Sequence, residues 1–145
     1  LNGNLDAVIR VKPTEYDCFL RSDSNTRGHC NWFYFSVKCK KEGTVRLNIC
    51  NLNKRTELYA KGMRPFVNDG SGWKQAGDNI AFVQRYCRYG FDIKHYQLQF
   101  SWTFSKAGQE VRFAYGIPYT YSELEQFVKE IKEKFEDKVE VDNLG

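Results

Sequence analysis

Leu5, Ala7, Ile9 and Val11 alternate with Asp6, Arg10 and Lys12, the period-two pattern of a half-buried strand. Lys12-Pro13-Thr14 interrupts it, and residues 15–20 read as a second strand that can close a hairpin with the first. Residues 21–31 are polar and rich in turn formers, which marks a loop. Residues 32–37 are aromatic and β-branched, and they predict a central strand that is apolar on both faces. A turn at Lys40-Lys41-Glu42-Gly43 leads into a strand over 44–52, with Val45, Leu47, Ile49 and Asn51 on one face. Residues 53–72 carry Gly62, Pro65, Asn68, Asp69, Gly70 and Gly72, and they predict a long irregular connection ending in a β-turn. Short strands follow at 73–75 and 80–86, with a turn at Tyr89-Gly90. The clearest strand covers 95–104, where Tyr96, Leu98, Phe100, Trp102 and Phe104 face one way and Gln97, Gln99, Ser101 and Thr103 the other. Ala107-Gly108 turns the chain back into 110–115.

Past Pro118 the period changes. Leu124, Phe127, Val128, Ile131 and Phe135 recur at three and four residues, so a helix with one apolar face is predicted. Ser122 and Glu125 have the spacing of a capping box, which sets the expected start. The whole reads as an all-β chain, an antiparallel β-sandwich of about seven to nine strands with one C-terminal α-helix. The expected division is a sandwich over 1–121, a helix of the same domain over 122–137, and a charged linker over 138–145.

Composition narrows the class further. The 145 residues favour one domain, and an aromatic share of 16% suits pleated, half-buried surfaces. The net charge of +4 is mild, so the scattered basic pairs read as solvated surface or as an attraction for an acidic partner. Five cysteines, Cys18, Cys30, Cys39, Cys50 and Cys87, are odd in number and widely spaced, which predicts free thiols in a reducing compartment. No run of about 18 apolar residues is present, so no membrane helix is expected. Leu1 opens the chain and Met63 is its one methionine, which suggests a processed or excised segment. His29 and His95 are the two histidines, and no Cys-x-x-Cys pair exists, so neither a structural zinc site nor a Cys–His nucleophile is expected. Trp32-Phe33-Tyr34-Phe35 could stack bases, but alternate packing into a core is the simpler reading, and no nucleic-acid partner is expected.

Five groups of residues occur in a telling order: Trp32-Phe33-Tyr34-Phe35; Asn48-Ile49-Cys50-Asn51-Leu52; Tyr59 with Gly62-Met63-Arg64-Pro65; Trp73 with Gly77, Asn79 and Ile80; and Phe113-Ala114-Tyr115 with Pro118-Tyr119-Thr120-Tyr121-Ser122. Together with Gly3-Asn4-Leu5 and Glu15-Tyr16-Asp17, they make nearly the whole chain resemble the amino-terminal domain of the cytosolic carboxypeptidases, within the carboxypeptidase A-like zinc peptidases. The resemblance implies a β-sandwich that precedes a zinc domain in a cytoplasmic parent. That parent would remove C-terminal residues, typically glutamates, from tubulin tails or other acidic proteins. The family's zinc ligands lie in a His-x-x-Glu pair and a later His; neither His29 nor His95 sits in such a motif, so no catalytic or metal residue carries over. Zinc would belong to the parent's catalytic domain, and no cofactor is expected in this chain.

Two sets of residues are candidate binding positions. Tyr115, Pro118, Tyr119 and Tyr121 form either a strand-to-helix corner or a contact surface for the absent zinc domain, since a Tyr ring is apolar and its tip polar. Lys61, Arg64 and Lys74 could steer an acidic tail, against the plainer reading of a solvated loop. The leading expectation is a non-catalytic accessory domain that supports the peptidase domain and shapes access to it. The runner-up is a stand-alone module for acidic, polyglutamylated tails, and a nucleic-acid-binding barrel comes third.

Overall fold

In the computed structural model, residues 3–26, 28–54, 58–87, 91–135 and 138–142 are described, with the side chains of Cys87 and residues 91–94 left aside. Among them are nine strands and one helix: β1 (Leu5–Lys12), β2 (Glu15–Leu20), β3 (Tyr34–Lys38), β4 (Gly43–Leu52), β5 (Phe66–Asn68), β6 (Trp73–Gln75), β7 (Asp78–Cys87), β8 (Phe91–Phe104), β9 (Glu110–Ala114) and α1 (Tyr121–Lys134). The strands make two sheets. One has five strands in the order β1-β2-β4-β8-β7, and the other four in the order β3-β9-β5-β6. This is the all-β sandwich with a late helix that the alternation predicts.

The expected hairpin forms, with Arg10 opposite Tyr16 and Val8 opposite Cys18. Its second strand then lies parallel to β4, Cys18 beside Ile49. The larger sheet is therefore mixed, although every other pairing is antiparallel. A parallel neighbour needs a crossover, and residues 21–42, which include β3 in the other sheet, supply it. Alternation along one strand carries no information about the direction of its neighbour.

Phe33, Phe35, Ile49, Leu98, Phe100, Phe104, Val111 and Phe113 fill the space between the sheets. The inward residues of β8 are those expected, and Phe100 meets Phe113 across the sandwich with ring centroids 5.5 Å apart. Phe35 also meets Phe113, with centroids 5.7 Å apart. Aromatic pairs in offset or tilted geometry add to area burial, so these rings anchor the two layers.

The opposite face of β8 is polar but shielded. Gln97, Gln99 and Ser101 are buried, as are Asn48 on the neighbouring β4 and Asp17 on β2 beyond it. Asn48 Nδ2 donates to both Asp17 (2.8 Å) and Glu15 (3.1 Å), and Arg46 donates to Gln99 Oε1 at 2.8 Å. Lys12 closes on Glu15 at 2.8 Å. These two bonds, from Lys12 and from Asn48, hold the Glu15 carboxyl below its ordinary range.

Several local expectations are corrected. Residues 32–37 are not a central strand. The strand begins at Tyr34 and sits at an edge of the smaller sheet, with Trp32 exposed and Ser36 and Lys38 directed outward. A run of aromatic residues signals burial, but it cannot say whether one or two neighbours hydrogen-bond the strand. The connection over 53–72 contains β5, whose three residues are too few to show a period. Gly70 and Gly72 both have positive φ, at 105° and 102°, and make the tight β5–β6 turn. The strand at 95–104 begins earlier, at Phe91, while the expected Tyr89-Gly90 turn lies outside the described residues.

The helix starts at Tyr121 rather than Ser122, and its capping box is Thr120 with Glu123. The Glu123 amide donates to Thr120 Oγ1 at 3.1 Å, and the Thr120 amide donates to Glu123 Oε2 at 2.6 Å. Thr120-x-x-Glu123 and Ser122-x-x-Glu125 have the same spacing. The chain selects the pair nearer Pro118. The helix ends at Lys134, short of the expected 137.

Candidate docking surface

The strand-to-helix corner begins inside the core and ends in solvent. The Tyr115 amide donates to the Phe33 carbonyl at 2.9 Å, and its ring meets Phe33 and Tyr59 edge-on, with centroids 6.4 and 6.2 Å apart. Tyr59 is buried, which raises its phenol well above the ordinary range, helped by the neighbouring Tyr115. Tyr59 also stacks on Phe82, which stacks in turn on Tyr96. Tyr115 thus belongs to an aromatic ladder at one end of the sandwich. Pro118 is half-buried.

Tyr119 and Tyr121 point away from it. Their relative exposures are 66% and 73%, and Ile117 reaches 58%. The helix continues this apolar surface: Leu124, Phe127 and Phe135 are exposed, Val128 and Ile131 half-buried, and no helix residue is buried. The predicted amphipathic face therefore exists, and the described residues leave none of it buried. Among the four expected corner residues, Tyr115 is held by the sandwich and Tyr119 and Tyr121 are presented outward. The apolar helix stripe joins them.

The basic set is placed differently. Arg64 Nη1 donates to the Gly77 carbonyl and lies 3.9 Å from the Asp78 carboxylate. Lys74 Nζ donates to Asp69 at 3.0 Å and to Ser71 at 3.2 Å. Bonds from Ser71 and Lys74 lower the Asp69 carboxyl to about 2. Arg64 and Lys74 thus have carboxylates of their own chain beside them. Lys61 lies in the turn over 58–62, where its amide donates to the Leu58 carbonyl at 3.1 Å.

No group of three His, Cys, Asp or Glu side chains among the described residues is placed to hold a metal ion. His95 contacts Asn53 Oδ1 at 3.2 Å. Cys18 and Cys30 are buried, and loss of hydration pushes their thiols up to about 12 and about 11, with Asp17 and Asp23 adding to the respective shifts. Among the described residues no helix is long and apolar enough to cross a membrane.

Comparison with known proteins gives this arrangement its context. A family model described as the cytosolic carboxypeptidase N-terminal domain matches residues 2–115. The chain belongs to that family. Cytosolic carboxypeptidase 2 of Danio rerio is 35% identical over 140 residues, which cover 89% of this chain and 19% of the relative. Cytosolic carboxypeptidase 3 of Bos taurus is 34% identical over 140 residues, covering 90% and 14%. Cytosolic carboxypeptidase 2 of Homo sapiens is 33% identical over 135 residues, covering 88% and 15%. The chain thus spans less than a fifth of the length of these relatives.

Solved structures share the fold. A metallo-carboxypeptidase from Pseudomonas aeruginosa superposes with a TM-score of 0.61 at 22% identity, over 90% of this chain and 32% of that one. A metallo-carboxypeptidase from Burkholderia cenocepacia gives 0.62 at 13% identity, over 90% and 31%. The cytosolic carboxypeptidase N-terminal domain match ends at Tyr115, where the buried ladder ends. The exposed apolar stretch over 117–135 begins just after it.

Proposed function

We propose that this chain is the non-catalytic N-terminal accessory domain of a cytosolic zinc carboxypeptidase. In this reading Tyr119, Tyr121 and the apolar face of α1 dock the peptidase domain of the same protein. One observation carries the proposal: an uncovered apolar stripe directly follows the residues matched by the N-terminal-domain family. Leu124, Phe127 and Phe135 are already about half covered, so burying the rest would contribute on the order of 1 kcal/mol each. The names of the relatives support the carboxypeptidase assignment. Removal of C-terminal glutamates from tubulin or other acidic proteins is the activity we assign to the whole enzyme, with zinc supplied by its catalytic domain. The role of this domain is to hold that domain and border its entrance.

The test compares Phe127→Asp in two contexts, this chain and the longer protein that carries the peptidase domain. The substitution should leave the melting temperature of the chain unchanged, because Phe127 is exposed there. In the longer protein it should lower both the melting temperature and the carboxypeptidase turnover. An equal response in both contexts, or none in either, would remove the docking reading.

A further inference from the structure

The larger sheet ends in a strand that is apolar and exposed on both faces. Among the described residues β1 pairs with β2 alone, and Ala7, Val8, Ile9 and Arg10 are all exposed. Val8 stands opposite Cys18, a core residue, yet it is 51% exposed; Ile9, opposite Asp17 on the other face, is 39% exposed. Irregularities at Leu5/Ala7 and Arg10/Lys12 bracket residues 7–10, which make the regular part of the strand. The start of β1 is tied to the smaller sheet by Asn4, whose amide donates to the Tyr34 carbonyl at 3.1 Å and whose side-chain oxygen accepts from the Tyr34 amide at 3.0 Å. Val8 lies five residues past Gly3, about 16 Å along a strand, and two residues reach at most about 7 Å, so its exposure does not depend on residues 1 and 2. An apolar edge strand left bare in this way is a template for pairing with another chain.

We propose that this edge joins two copies of the chain, β1 against β1 in antiparallel pairing about a two-fold axis at Val8. The order of residues along β1 selects the occupant. A two-fold axis perpendicular to the sheet keeps the inward faces of both copies on one side, so even-numbered residues meet even and odd meet odd. With the axis at Val8, Val8 meets Val8, Ala7 meets Ile9, and Asp6 meets Arg10 once on each side of the axis. Opposite charges and β-branched side chains facing each other across strands are both favourable. Moving the axis to Ala7 sets Val8 against Asp6, and moving it to Ile9 sets Val8 against Arg10. The match is therefore specific to one register, and a second copy supplies it by symmetry. Within the chain, Asp6 Oδ1 accepts from Arg21 at 3.0 and 3.3 Å, and Arg10 donates to the carbonyls of Lys12 at 3.3 Å and Pro13 at 3.0 Å. These contacts are exposed, and exposed pairs contribute little, so they yield to the pairing or share it. The two irregularities confine the ladder to a short stretch, which makes the association weak and transient. The inference is independent of the docking surface, which lies on α1 and the corner before it.

Sedimentation velocity of this chain should show a dimer whose share rises with concentration. Arg10→Glu sets carboxylate against carboxylate on both sides of the axis and should weaken the association at least about tenfold. Asp6→Lys combined with Arg10→Glu rebuilds both pairs with their signs reversed, and it should return the association to within about threefold of the parent. Val8→Asp places two carboxylates at the axis and should abolish the dimer. All three side chains are exposed in the single chain, so the melting temperature should hold throughout. A chain that stays monomeric at about 1 mM overturns the proposal. So does Arg10→Glu or Val8→Asp dimerising as the parent does, or a double variant as weak as Arg10→Glu alone. A dimer lost with Phe127→Asp and kept by Val8→Asp also overturns it, because α1 would then be the interface.

Discussion

Asn51 grips the backbone of Leu20 with both ends of its amide: Oδ1 accepts from the Leu20 N–H at 2.9 Å and Nδ2 donates to the Leu20 carbonyl at 2.8 Å. The parallel ladder between β2 and β4 is registered only as far as Cys18 beside Ile49, and β4 is irregular between Ile49 and Leu52. The side chain of Asn51 thus carries the link between β4 and β2 past the point where their backbone ladder ends. Asn4 does the same for Tyr34 at the edge of the other sheet. Both bridges tie a strand end that would otherwise leave polar groups unpaired.

Replacing Asn51 by Leu would strand both the N–H and the C=O of Leu20, a residue in the core. An unpaired buried polar group costs about 1–3 kcal/mol, so Asn51→Leu should destabilise the chain by roughly 2–4 kcal/mol in urea denaturation. Asn51→Asp keeps the acceptor and should lose less. A loss below about 0.5 kcal/mol for the Leu variant would show that the bridge is dispensable.

The Thr120 cap predicts a local effect. Thr120→Ala should weaken α1 by about 1 kcal/mol, whereas Ser122→Ala should have little effect. Because no residue of α1 is buried, the change should appear as lost helical circular dichroism with the sandwich melting point unaltered. Equal losses from the two substitutions would return the cap to Ser122.

Acid should act through Asp69. Its carboxyl is lowered from 3.8 to about 2 in the fold by bonds from Ser71 and Lys74. A lowered folded value means that the ionised form is favoured by folding, so the contribution is complete above the unfolded value and disappears as pH falls toward 2. Glu15, lowered by Lys12 and Asn48, acts in the same sense. Urea midpoints measured from pH 5 to pH 2 should fall less steeply in Asp69→Asn than in the parent chain. Parallel curves would mean that the Asp69–Lys74 contact does not persist in solution.

The thiols should divide by burial. At pH 8 Cys18 and Cys30, pushed up to about 12 and about 11, should resist iodoacetamide in the folded chain and react once it is unfolded in urea. Cys39 is half-buried and should react earlier. Mass spectrometry of the labelled peptides measures the order, and prompt labelling of Cys18 would contradict its place in the core.

Much of this protein was set by local pattern. Period-two alternation identified strands in 5–12 and 95–104, because a pleated backbone sends successive side chains to opposite sides whatever its neighbours are. It gave the inward face of 95–104, whereas in 5–12 Ala7 and Ile9 are exposed, because β1 is an edge strand, and the expected half-buried face is corrected. Three-and-four spacing after Pro118 identified α1 for the same kind of reason. Five ordered motifs pointed to the carboxypeptidase family, to which residues 2–115 belong. Tertiary structure decided which strands are neighbours. That put β3 at an edge, laid β2 parallel to β4, made Asn4 and Asn51 into backbone substitutes, and gave Lys74 a partner in its own hairpin and Arg64 one at the start of β7. It also left the apolar face of α1 uncovered. Hydrogen bonds and charges between distant segments depend on which segments meet, and that is settled only when the two sheets close on their shared aromatic core.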